Sequence, residues 1–156
     1  AGIAVQGHLG LTPQTAVLLG GFKVQGKGRD AGLRLLDDAK RVEEAGAFSI
    51  VLECVPEELG RVMSSIVKIP IIGIGAGRHC DGQVLVLHDM MGLFDRFKPK
   101  FVKQYRQIGK EMVDAFTEFK EDIRGGSFPS EEHVFAGFSK EEADALLEAL
   151  KSGEIK

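Results

Sequence analysis

Tryptophan is absent from this chain and tyrosine occurs once, so aromatic bulk rests on ten phenylalanines. Cysteine is scarce. Cys54 and Cys80 have neither CxxC nor zinc-ligand spacing, which excludes a disulfide scaffold or a zinc module. They read as free thiols in a reducing, cytoplasmic compartment. A basic stripe is also missing, and the net charge is −3. Phosphate backbones need clustered Lys and Arg, so no nucleic-acid partner is expected. No apolar run approaches the roughly 20 residues that span a bilayer, so no membrane partner is expected. No signal peptide is visible, although the N-terminus looks truncated. Low-complexity segments and internal repeats are lacking as well.

What is present is a soluble globular composition, 44% hydrophobic and 28% charged over 156 residues, enough for one sizeable core. Residues 3–6 form a short apolar run ending at Gly7, the first expected strand. From Asp30 the period changes. Leu33, Leu36, Ala39, Val42 and Ala45 recur at helical spacing, with charged residues opposite and Gly46 as the stop. Residues 48–52 are a buried-type strand. Pro56 opens a second helix, with Glu57 and Glu58 in its first turn. Residues 71–74 are the third strand.

Beyond that point residues 84–87 read either as a fourth strand or as part of a short helix from Asp81 to Met91, because a parallel crossover usually takes a dozen or more residues. Pro99 opens a long helix to about residue 124, closed by Gly125-Gly126, its apolar face taken as core and packing surface. Ser139 to Glu142 is a capping box for a last helix stopped at Gly153. Strands alternating with amphipathic helices imply an α/β fold with parallel βαβ units. Periodicity does not decide between an open doubly wound sheet and a barrel. A strand starting almost at residue 1 suggests a piece of a larger sheet.

Glu53 ends an apolar strand, where α/β folds carry their active sites. A carboxylate flanked by Leu52, Cys54 and Val55 is expected to be desolvated and poised as a base. The bland alternative is a helix cap or an arginine partner. His8 stands at the end of the preceding strand in this reading, either as donor to a substrate oxygen or general acid, or as a histidine satisfied by loop carbonyls. Gly73-Ile74-Gly75-Ala76-Gly77 fails the GxGxxG spacing, since Arg78 stands where the third glycine belongs. Its glycines are read as keeping a ligand mouth open, and a phosphate turn remains the alternative. His88-Asp89, on opposite faces of a strand, is a poor metal pair. Glu131-Glu132-His133 lies in a loop and reads equally as a solvated acidic patch. Residues 19–29, with four glycines and two lysines, are expected to form a mobile loop.

Taken together, Gly7-His8-Leu9-Gly10-Leu11-Thr12-Pro13-Gln14, residues 20–26, Leu52-Glu53-Cys54-Val55-Pro56, residues 73–77, residues 81–83 and Phe128-Pro129 make residues 3–135 resemble the ketopantoate hydroxymethyltransferases. The resemblance implies the C-terminal half of a (β/α)8 barrel, about strands five to eight, over residues 1–135, with 136–156 as a helical extension. It implies transfer of a hydroxymethyl group from the co-substrate 5,10-methylenetetrahydrofolate to the 2-oxo acid 3-methyl-2-oxobutanoate, in pantothenate biosynthesis. Glu53 matches the catalytic base and His8 lies on the substrate side. The family uses Mg²⁺, with ligands expected in an N-terminal half, so no metal ligand is assigned here. Homo-oligomers are the family habit, and the isolated chain is expected to be marginal or to associate. Two rival readings remain: another Mg²⁺-dependent 2-oxo-acid lyase or mutase of the same superfamily, and a non-catalytic half-barrel subunit.

Overall fold

The computed structural model describes residues 2–153. Four parallel strands lie side by side in chain order: β1 (Gln6–Gly10), β2 (Ser49–Glu53), β3 (Ile71–Ile74) and β4 (Gly82–Gln83). Between the first three run α1 (Arg29–Glu44) and α2 (Glu57–Ile66). The parallel α/β reading is thereby met.

Both helices pack on one face of the sheet. Alternation along the strands sends Ile50, Leu52 and Ile71 to that face, and all three are fully buried. They meet Leu35, Leu36, Ala39 and Val42 of α1 and Leu59 and Met63 of α2. Full burial of a side chain of this size contributes roughly 1.5–3 kcal/mol, so this layer dominates the cohesion of the sheet. Gln6, His8, Ser49, Val51, Glu53, Ile72 and Ile74 alternate to the other face, where Ser49 and Ile74 are buried and the rest are not.

The first strand is displaced from the expected 3–6. Ile3 and Val5 are exposed, and pairing begins at Gln6 opposite Ser49. Gly7, read as the strand's end, sits inside it. A Cβ there would lie 2.5 Å from Cγ1 of Val42, so this glycine marks where α1 presses on the strand.

The doubtful segment resolves against a strand at 84–87. The fourth strand is only Gly82–Gln83, and a one-turn helix α3 (Leu87–Met90) follows. The crossover from β3 needs no helix, because a short return of bends and one turn does its work. Asp81 Oδ2 accepts from the Ile71 amide at 2.8 Å, pulling the chain back to the start of β3. His88 and Asp89 therefore lie on this helix, not on a strand.

Pro99 does not open the long helix. It starts a single turn, in which the Val102 amide donates to the Pro99 carbonyl at 3.0 Å. The amides of Tyr105 and Ile108 are then engaged by the carbonyls of Met90 and Met91, at 2.8 and 3.0 Å. Those tertiary bonds delay α4 to Ile108–Gly125.

Two compact units divide at Gly109–Lys110, by packing; the division at residue 135 rests on resemblance and is a separate matter. The second unit holds the body of α4, a 3₁₀ turn at Glu131–His133 and α5 (Lys140–Ser152). Phe119 stacks edge-on against Phe128, centroids 5.4 Å apart. No residue of α4 is fully buried, and Phe116 and Val113 are exposed, so its apolar face is not core within this chain. The capping box of Ser139 and Glu142 forms in both directions, and Gly153 closes α5 in the left-handed conformation.

Candidate functional site

The site grows from the ends of β1, β2 and β3. Residue Glu53 is the last of β2, opposite Gly10, while His8 stands opposite Val51. Since residues two apart share a face, His8 and Glu53 point to the same side, offset by one step of the pleat. His8 reaches along the strands and its Nε2 meets Oε2 of Glu53 at 3.0 Å. An ionised carboxylate only accepts, so Nε2–H is the donor. The two side chains are 31% and 14% exposed, leaving the carboxylate largely enclosed but reachable. Below them Gln6 donates to Ser49 Oγ at 2.7 Å, a second polar pair on the same face.

The sequence places His8 at the end of its strand. It lies within β1, and its side-chain partner is Glu53 rather than a loop carbonyl. The helix-cap and arginine alternatives for Glu53 also fall away. Pro56 caps α2 without a side-chain bond, and Arg78 pairs with Glu57 at 2.7 Å. Arg78 binds Glu57 through both backbone and side chain, which holds the Glu57 carboxyl below its ordinary value.

The backbone after Glu53 carries a feature that no spacing announced. Cys54 has φ 52°, the one non-glycine residue with positive φ among the described residues. A left-handed conformation costs an L-residue about 1–2 kcal/mol, so neighbours must hold it. Four main-chain bonds do so. Leu11 donates to the Glu53 carbonyl at 2.9 Å, Cys54 to Ile74 at 2.8 Å, Val55 to Gly75 at 3.2 Å, and Gln25 to Cys54 at 2.9 Å. The last bond ties the glycine-rich segment 20–28 to the strand end, although Val17, Leu18 and Phe22 before it are exposed. Burial raises the Cys54 thiol above its ordinary pKa; the Glu53 charge raises it further, and Lys27 opposes this. Cys80 is likewise pushed up, chiefly by burial.

The glycines at 73–77 have a different purpose from an open mouth. A Cβ on Gly75 (φ 65°) would lie 2.7 Å from the Phe101 ring, and one on Gly73 would lie 2.8 Å from Cys80 Sγ. Gly77 would collide with the stem of Glu57. They are packing glycines, placed where neighbours come close. Phe101 escaped notice in the sequence because it seemed part of a regular helix. Glu131, Glu132 and His133 are exposed in their 3₁₀ turn, away from any of these groups in sequence. Among the described residues, no three His, Cys, Asp or Glu side chains come together as a metal-binding set. No helix among them is long and apolar enough to cross a membrane.

Comparison with known proteins places the chain in a family. A family model described as ketopantoate hydroxymethyltransferase matches residues 1–131. A curated 3-methyl-2-oxobutanoate hydroxymethyltransferase of Moorella thermoacetica is 55% identical over 135 residues, covering 86% of this chain and 50% of the relative. Those of Heliobacterium modesticaldum and Syntrophobacter fumaroxidans are 57% and 52% identical, with 86% and 94% of this chain covered and 49% and 51% of the relatives. The chain thus spans about half the length of the curated relatives it matches. By the family match and by these identities, the chain belongs to the ketopantoate hydroxymethyltransferase family.

Proposed function

We propose that the complete protein containing this chain transfers a hydroxymethyl group from 5,10-methylenetetrahydrofolate to 3-methyl-2-oxobutanoate, giving 2-dehydropantoate, with Glu53 as the base. The observation that carries the reading is the placement of Glu53. It ends a parallel strand on the face that the helices leave uncovered, largely enclosed, with one carboxylate oxygen held by His8. In the proton-transfer step the C3–H bond of the oxo acid breaks. Its electron pair enters the C2–C3 bond of the enolate, and the proton moves to a Glu53 oxygen. The enolate C3 then bonds to the methylene carbon carried by the folate; both C–N bonds of that carbon break, one water supplies the hydroxyl oxygen, and the water's other proton and the proton held by Glu53 go to the two nitrogens of the departing tetrahydrofolate.

The residues of this chain do not fit the Mg²⁺ site that the family resemblance implies, since no convergent donor set exists among the described residues. No step above runs through the ion. Its ligands belong, in this proposal, to the half of the relatives' length that this match does not span.

The barrel reading is favoured by topology. A doubly wound sheet reverses strand order and places helices on both faces. Here the order runs 1-2-3-4 without reversal, and α1 and α2 cover the same face. We therefore read residues 1–135 as about half of a (β/α)8 barrel, its polar face turned to the barrel interior, and 136–156 as an extension. A cytoplasmic homo-oligomer accords with the two free cysteines and the exposed apolar faces. No relative named above favours the lyase, the mutase or the non-catalytic half-barrel.

The test is Glu53→Gln in the complete protein. Exchange of the C3 proton of 3-methyl-2-oxobutanoate with deuterated water needs no folate and is followed by NMR. Exchange is expected to fall by roughly 10²–10⁴-fold, the share of a general base, with substrate affinity retained. An unchanged exchange rate would remove Glu53 from the role.

A further inference from the structure

We infer that His8 is a positioning residue for Glu53, not a ligand of the substrate. This rests on Glu53 being the base.

A carboxylate at a strand's end rotates about its last torsions unless something stops it, and a misplacement of about 1 Å can cost on the order of 10² in rate. Here one oxygen is stopped. His8 Nε2 holds Oε2 at 3.0 Å, which leaves Oε1 as the oxygen free to take a proton. The register makes this pairing possible. His8 comes from the residue pair just before Glu53, so its ring extends along the strands toward the carboxylate rather than across the cleft.

The position directly opposite Glu53 is Gly10, which has no side chain to compete. It cannot easily gain one. At φ 89° a Cβ would collide with the Glu53 carbonyl and lie 3.0 Å from Val55 Cγ1. Gly10 thus lets the two strand ends approach at the Glu53 main chain, while the carboxylate is oriented by His8. With Nε2–H donated to Glu53, only Nδ1 is left for any other partner. His8 is also more exposed than its partner, so it stands on the open side and closes part of the carboxylate from water.

The experiment uses the complete enzyme and the same deuterium exchange, with four variants: His8→Ala, His8→Gln, Glu53→Gln and the double variant His8→Ala/Glu53→Gln. A glutamine amide can stand where Nε2 stands and donate the same bond. Positioning predicts a fall of roughly 10–100-fold in the exchange kcat for His8→Ala, with KM changed less than about threefold. His8→Gln should recover most of the rate, and the double variant should be no slower than Glu53→Gln alone, because a group acting through Glu53 has nothing to act on once the base is gone. A His8→Ala effect confined to KM would overturn the proposal in favour of substrate binding. A His8→Gln variant as slow as His8→Ala would overturn it in favour of an imidazole-specific proton donor, and additive losses would do so by showing independent roles. If instead Glu53→Gln exchanges like wild type, the base assignment fails, and that outcome is distinct from the other three. Should His8→Ala not fold, the His8→Gln result and its own double variant with Glu53→Gln decide the question.

Discussion

Two buried helical glycines should respond to the same substitution with opposite signs. Replacing glycine by alanine inside a helix ordinarily stabilises by about 0.8–1.0 kcal/mol, through lost backbone freedom in the unfolded chain. Gly32 in α1 meets that condition. A Cβ there would find Leu59 Cδ1 at 3.5 Å and the Gly26 carbonyl oxygen at 3.8 Å, ordinary contacts. Gly60 in α2 does not. Its Cβ would fall inside 3.0 Å of the Ala76 carbonyl oxygen, which is main chain and has no rotamer to change. Either α2 lifts from the sheet or the 75–77 segment shifts. Overpacking of this kind costs roughly 1–3 kcal/mol, so the net effect of Gly60→Ala is a loss of up to about 2 kcal/mol. The assay is urea unfolding followed by far-UV circular dichroism, since the chain has no tryptophan to report. Protein concentration is held fixed across variants, because association changes apparent stability. At an m-value of about 2 kcal/mol/M, each kcal/mol moves the midpoint by about 0.5 M. Gly32→Ala should move it up and Gly60→Ala down. A Gly60→Ala midpoint at or above wild type would refute the close-approach argument, and a fall for Gly32→Ala would refute the entropy argument.

Two further expectations concern the thiols and the uncovered surfaces. Cys54 should react slowly with iodoacetamide at neutral pH, with the rate rising only above the ordinary thiol range, and Glu53→Gln should move that rise to lower pH by removing the nearby negative charge. Because its folded pKa is raised, the stability it contributes is intact below the unfolded thiol value and declines as pH climbs through the folded one, so a Glu53→Gln profile superimposable on wild type would discount the charge. The chain alone should self-associate, since β1 has a free edge among the described residues and Phe116, Phe135 and Leu147 are exposed. A monodisperse monomer in sedimentation velocity at micromolar concentration would contradict that.

Periodicity carried far where elements are local. The extent of α1 from Arg29 to Glu44 and the two-way cap of α5 follow from residues within a few positions of each other. It failed where distant residues decide. Gly7 reads as a stop, but its reason is Val42, a residue of α1 thirty-five positions away that packs onto it. Pro99 looked like a helix start, but the carbonyls of Met90 and Met91 take the amides that α4 would need to begin there. The short crossover to β4 hangs on Asp81 reaching back to Ile71, a bond with no signature in composition. The candidate site shows the same division. Glu53 was found from its place at a strand end, a local inference. Its partnership with His8 was not, because it depends on the register between two strands separated by a helix.

The four bonds around Glu53 and Cys54 are all between main-chain groups. Such bonds survive any side-chain replacement except proline at a donor position. Leu11, Gln25 and Ile74 can therefore drift in identity without moving the carboxylate, so long as their segments keep their path. The position of the carboxylate is in that sense insulated from point mutation, and drift is free to act on the side chains of the segments that hold it. Relatives that differ from this chain at nearly half their aligned positions can on this account hold the same acid in the same place, and evolve their differences elsewhere.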